Sequence, residues 1–143
     1  MDPVPPRQLH RDAALLLCAI LMRMAGLLIV TSAGPEQPSR ASAAFHIAVN
    51  GAMPSGVECA VVLASDATAL MKPAVSAGVV GLGIPPLTEL LEKCLAQNIQ
   101  FYVCRGCAEA RGITAAMLSP NATFISPLDL VRMTMEADKV LSF

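Results

Sequence analysis

Phe101-Tyr102-Val103-Cys104-Arg105-Gly106-Cys107-Ala108-Glu109-Ala110-Arg111-Gly112-Ile113 carries an apolar strand into a turn that holds a thiol between cations. Aromatic and β-branched residues favour a strand over Ile99 to Val103, and Cys104-Arg105-Gly106 ends it. A cysteine at such a strand end is open to chemistry. It reacts as the thiolate, whose pKa of ~8.5 falls to ~3.5–7.5 beside Arg or at a helix N-terminus. Arg105, Arg111 and the helical stretch that follows offer both. Cys104 is therefore the candidate nucleophile.

The same alternation continues on either side of this stretch. Upstream, Leu27 to Ser32 is a strand, Gly34 and Pro35 turn the chain, and Pro38 suits a first helical turn. Ala41, Ala44, Phe45, Ala48, Val49 and Ala52 recur at helical spacing until Gly51, Pro54 and Gly56 end the helix. Val57 to Leu63 is a short, almost continuously apolar run, as in a strand buried on both faces. Ser65 or Asp66 is expected to cap a brief helix stopped before Pro73. Residues 74–83 are small and glycine-rich, but Gly78-x-x-Gly81-x-Gly83 reverses the spacing of a dinucleotide fingerprint and follows no strand directly. A loop beside the active site is expected there. Pro86 opens a helix with Leu87, Leu90, Leu91, Cys94 and Leu95 on one face.

Downstream of the thiol turn come an irregular helical stretch to Leu118, a strand at Thr123 to Ile125, and the helix start Ser126-Pro127-x-Asp129. Val140 to Phe143 is a final strand. Strands that alternate with helices, each needing a crossover, make an α/β fold whose parallel sheet is covered on both faces. Sites in such sheets form at the carboxyl ends of the strands, which is where Cys104 falls.

A chain of 143 residues makes one domain, burying roughly 68–70% of its unfolded surface. Hydrophobic residues are 55% of it without counting glycine, against a usual ~45–50% that includes glycine. An apolar excess of this kind is usually hidden at subunit interfaces, so a homo-oligomer is expected, with a membrane as the competing explanation. The balance of 10 Lys+Arg against 11 Asp+Glu gives no footprint for nucleic acid. One Tyr, no Trp and four Phe leave little to stack on bases. Five cysteines without regular spacing are not a disulfide framework, and a reducing cytoplasm is the expected location. Cys18, Cys59 and Cys94 lie among apolar neighbours and read as small core hydrophobes.

The apolar run 13–33, broken by Arg23, is long enough on residue count to cross a bilayer. Its Leu, Ile and Val residues favour insertion by roughly 3–5 kcal/mol, and one central Arg costs ~2.5–3.5 kcal/mol, so the sum is marginal. Arg7, Arg11 and the core 13–22 also suit a secretory signal with Ala41-Ser42-Ala43 as cleavage site, but cleavage there would remove the strand at Leu27. The first reading is a strand of the folded domain; the alternative is membrane association through residues 13–33.

Together with Ser126-Pro127-Leu128-Asp129 through Glu136-Ala137-Asp138-Lys139-Val140-Leu141-Ser142-Phe143, and with Leu27 through Glu36, the opening stretch resembles the DsrE/DsrF-like family of sulfur-relay proteins. The likeness covers residues 25–143 and leaves 1–24 as an N-terminal extension, helical or membrane-associated. It implies a three-layer α/β/α sandwich with a five-stranded parallel sheet in the order 4-3-2-1-5. The function implied is that of a persulfide carrier or sulfurtransferase that passes sulfur between donor and acceptor proteins and assembles as a trimer or hexamer. The family's reactive cysteine maps onto Cys104. Cys107 is an additional thiol, making a Cys-x-x-Cys pair.

A persulfide carrier needs an accessible thiolate, a place to hold the outer sulfur and a partner surface. Cys104, Cys107 and Arg111 are the candidates for the chemistry, with Arg105, Gly34 and Glu36 lining the place where sulfur is held. Arg111 has a second reading as a helix-end salt bridge, and Glu36 as a helix N-terminal carboxylate with no catalytic task. Cys107 is either a resolving thiol, closing a disulfide on Cys104 and releasing sulfide, or an inert neighbour. A thioredoxin reading of the pair fails because this chain returns through a helix to an apolar final strand. A zinc site lacks a second cysteine pair, and His10 and His46 read as solvated and helix-satisfied. Neither metal nor cofactor is expected. The alternative function is a non-catalytic oligomeric scaffold or binding protein of the same fold.

Overall fold

The computed structural model describes residues 26–143. Five strands, β1 (Leu27–Thr31), β2 (Cys59–Leu63), β3 (Gln100–Cys104), β4 (Ala122–Ile125) and β5 (Lys139–Ser142), form one parallel sheet in the order β4-β3-β2-β1-β5. Between them lie α1 (Pro38–Ile47), which runs on into a π turn at Ala48–Ala52, then a 3₁₀ segment at Ser65–Met71, α2 (Pro73–Ser76) and α3 (Leu87–Ala96). After β3 come α4 (Arg105–Glu109) and a 3₁₀ turn at Ala115–Met117, and α5 (Pro127–Glu136) joins β4 to β5.

The strand order decides which helices lie on which face. From β1 to β4 the chain steps across the sheet in one direction, and right-handed crossovers then put every connecting helix on one side. Ile29, Val61, Leu63, Phe101 and Val103 meet Phe45, Leu87, Leu90 and Cys94 there in the main core. The connection from β4 back to β5 reverses direction and carries α5 to the other side, where Met133 packs with Leu28, Ala60, Val62 and Ile125. The result is a three-layer α/β/α sandwich, as expected, with β2 buried along its whole length.

Ala41, Ala44 and Ala48, all fully buried, let α1 lie close to the sheet, and the Phe45 ring meets Phe101 edge-on with centroids 5.4 Å apart. Such a pair contributes ~0.5–1.5 kcal/mol beyond its buried area. Helix α3 ends where Asn98 takes a left-handed conformation, φ 54°, and the Ile99 amide donates to the Cys94 carbonyl at 2.9 Å. Both residues are buried, so this six-to-one bond, with its apolar contact, turns the chain directly into β3.

The structure departs from the sequence reading around β2. Val57 and Glu58 stay exposed outside the strand. Ala64 takes the cap position of the 3₁₀ segment, Ser65 sits at φ 49°, and no side chain caps it, because the Asp66 carboxylate is engaged elsewhere. Pro73 opens α2 as well as ending the segment before it. The expectations for residues 1–24 lie outside the described residues. Of the apolar run 13–33, Leu27–Thr31 is β1, paired on both sides by β2 and β5. Among the described residues no helix is long and apolar enough to cross a membrane.

Candidate functional site

Cys104 is at once the last residue of β3 and the N-cap of α4, which makes Cys107 the third residue of that helix. On the alternation of β3 its side chain falls on the α5 face with Tyr102, opposite Val103. Both thiols are half-buried, whereas Cys59 and Cys94 are buried in the core. Desolvation, reinforced by Cys59, pushes the Cys94 thiol up to about 12.

Burial pushes the Cys104 thiol up from its ordinary value, and the neighbouring Cys107 thiol adds to the rise. The backbone amides of Cys107 and Gly106 oppose this by favouring the anion, although neither closes a regular cap hydrogen bond. This corrects the expectation of a thiol acidified by its arginines. The Arg105 guanidinium stacks over Phe124, 4.9 Å from the ring centre, and reaches Glu109 at 3.7 Å. The Arg111 guanidinium donates to the Cys107 carbonyl at 3.0 Å and pairs with Asp66. Both cations are satisfied by other partners, so desolvation decides the direction at Cys104.

The remainder of the motif is a helix stop. Gly112 is left-handed, φ 71°, its amide donates to Glu109, and the Ile113 amide donates to the Ala108 carbonyl at 2.9 Å. Ile113 and Ala108 are both buried, as this closure requires. Arg111 stands just before the glycine, and its bonds to Cys107 and Asp66 tie α4 to the 3₁₀ segment after β2.

Gly34 is needed where the loop after β1 presses against that segment. A Cβ on it would lie 2.9 Å from the Asp66 Cβ and 2.7 Å from Glu36 Oε2. The loops following β1, β2 and β3 therefore meet through Gly34, Glu36, Asp66 and Arg111 at the carboxyl ends of the strands. Asp66 is the member that the sequence does not reveal: it reads there, with Ser65, as one of two cap candidates, and its partner lies 45 residues away. The glycine-rich loop packs at this end of the sheet, with Gly81 against Ser39 and the Leu82 amide donating to Ser39 Oγ at 3.0 Å.

A separate apolar cavity of about 270 Å³ opens between Leu70, Met71, Leu91, Leu95, Phe101 and Met117. None of the candidate site residues lines it. Among the described residues no group of three or more His, Cys, Asp or Glu side chains is placed to hold a metal ion.

The family model described as DsrE/DsrF-like matches residues 25–143. The chain belongs to the DsrE/DsrF-like family. Protein YchN of Escherichia coli K12 is 34% identical over 77 residues, covering 52% of this chain and 66% of YchN, and YchN of Shigella flexneri matches to the same extent. The matched stretch thus stops just short of two thirds of those relatives' length. The crystal structure of the E. coli YchN protein superposes with a TM-score of 0.68 at 25% identity, covering 84% of this chain and 100% of that one. The family match and the structural likeness point to the same fold.

Proposed function

We propose that this protein is a sulfur relay: Cys104 accepts sulfane sulfur from a donor persulfide and passes it to an acceptor thiol. The observation that carries this reading is the position of Cys104, a half-buried thiol at a strand's carboxyl end with two backbone amides favouring its anion. In the first step the Cys104 thiolate attacks the outer sulfur of a donor persulfide. The donor's S–S bond breaks, and the donor leaves as its own thiolate. An acceptor thiolate then takes the outer sulfur in the same way and frees Cys104. No oxidant or reductant is consumed in either step.

Family membership supports the reading at the level of sulfur relay. The specific carrier role, the donor and acceptor proteins, a homo-oligomeric state and a cytoplasmic location are parts of this proposal. A raised thiol pKa does not defeat it. Each unit of rise costs about ten-fold in thiolate but returns about three-fold in nucleophilicity at a Brønsted slope near 0.5. The penalty in attack is thus only about three-fold per unit.

Cyanide, which removes sulfane sulfur as thiocyanate, supplies the test. Donor-treated Cys107→Ser protein, freed of donor, should yield about one thiocyanate per chain. The Cys104→Ser, Cys107→Ser double variant should yield none. Equal yields from both would refute the assignment and leave a non-catalytic scaffold as the reading. That alternative draws on one observation, the apolar stripe Leu128, Val131 and Met135 exposed on α5.

A further inference from the structure

We propose that Cys107 gives the carried sulfur a reductive exit: it attacks the Cys104 persulfide, closes a Cys104–Cys107 disulfide and expels the outer sulfur as sulfide. This rests on the carrier reading above and adds to it a second fate for the sulfur and a requirement for a dithiol reductant.

The geometry comes from the helix start. Cys104 and Cys107 are the N-cap and third residues of α4, the two positions whose side chains turn toward each other in a capping box. The same molecule displays that relation at α5, where Ser126 and Asp129 hold the equivalent places and Ser126 Oγ lies 2.9 Å from Asp129 Oδ2. In α4 the same two positions carry thiols; no side-chain cap bond closes there, and the Cys107 thiol is near enough to push the Cys104 thiol up from its ordinary value. Both retain access to solvent, and a Cβ on the intervening Gly106 would meet nothing within 4 Å, so the turn faces open space from which a reductant can approach. Cys59 and Cys94 are buried in the core and are not part of this turn.

The step balances without an external oxidant. The Cys107 thiolate forms a bond to the Cys104 sulfur, the persulfide S–S bond breaks, and its electron pair leaves with the outer sulfur as hydrosulfide. The sulfane sulfur is reduced by two electrons and the two thiols are oxidised to one disulfide. A dithiol reductant then restores both thiols by two exchange steps and becomes a disulfide itself. An acceptor attacking the outer sulfur moves it on as sulfane sulfur, while Cys107 attacking the inner sulfur discharges it. The pair sets how long sulfur waits for an acceptor.

The test is a single turnover of the full chain, pre-reduced, freed of reductant and given one equivalent of glutathione persulfide without oxygen. Wild-type protein should release about one equivalent of sulfide, end about 2 Da lighter and yield a peptide with Cys104 joined to Cys107. Cys107→Ser and, as a second variant, Cys107→Ala should instead keep an increment of about 32 Da on Cys104 and release no more sulfide than Cys104→Ser. If wild type holds the increment as long as the Cys107 variants, the exit is refuted while the carrier stands. If neither wild type nor the Cys107 variants take sulfur on Cys104, both fail.

Discussion

At Cys104 two influences of different origin compete: burial and the neighbouring Cys107 thiol favour the neutral form, while the amides at the start of α4 favour the anion. Replacing Cys107 by Ala removes its thiol and leaves its backbone amide in place. The Cys107→Ala variant should therefore show a lower pKa at Cys104, read as a fall in the pH at which iodoacetamide modification of that residue reaches half its maximal rate. An unchanged midpoint would mean that the second thiol does not act on the first. Cys59 and Cys94, held neutral by burial, should react only when the protein unfolds. The position of Cys104 was legible in the sequence because an apolar strand, a thiol and a glycine turn are local features. The loss of Arg111 to Asp66 was not legible, since nothing local signals a partner that another crossover brings in.

Among the elements, α5 follows its sequence closely. Ser126 accepts from the Asp129 amide, the Asp129 carboxylate accepts from the Ser126 amide, and Pro127 fills the first turn. Ser126→Ala should cost about 1 kcal/mol in denaturant unfolding, the usual loss for a deleted N-cap. The bonds from Ser126 hold the Asp129 carboxyl below its ordinary value. A depressed folded-state pKa gives stability that is fully present above the unfolded value of ~3.9 and is lost as pH falls through the folded value. Wild-type protein should accordingly lose part of its lead over Ser126→Ala below pH ~4. A gap between the two that does not narrow in acid would contradict the capping account. The start of α5 could be read because its cap, proline and carboxylate are contiguous. The 3₁₀ segment after β2 was misread because Ser65 and Asp66 look like caps, whereas Ser65 adopts a left-handed backbone and Asp66 turns to Arg111.

Across the whole molecule the two sheet faces are unequally covered: the crossovers to β2, β3 and β4 share one, and among the described helices α5 packs on the other. The outer side of α5 exposes Leu128, Val131 and Met135, and β5 at the sheet edge exposes Val140 and Leu141. An apolar surface of this kind suits a subunit interface. Sedimentation at micromolar concentration should give a multiple of the 14.9 kDa chain mass, and Val131→Asp should shift it toward the monomer. A monomeric wild type would contradict the oligomer. The alternation of strands and helices was visible in the sequence, and the strand order came from the family resemblance; the uneven covering follows only once that order and crossover handedness are combined. The central claim remains that sulfur rides on Cys104. Its most direct test is a peptide map of donor-treated Cys107→Ser protein, blocked by alkylation before digestion. The account predicts an increment of about 32 Da on the peptide bearing Cys104, removed by dithiothreitol; the same increment on the Cys59 or Cys94 peptides, with Cys104 unmodified, would contradict it.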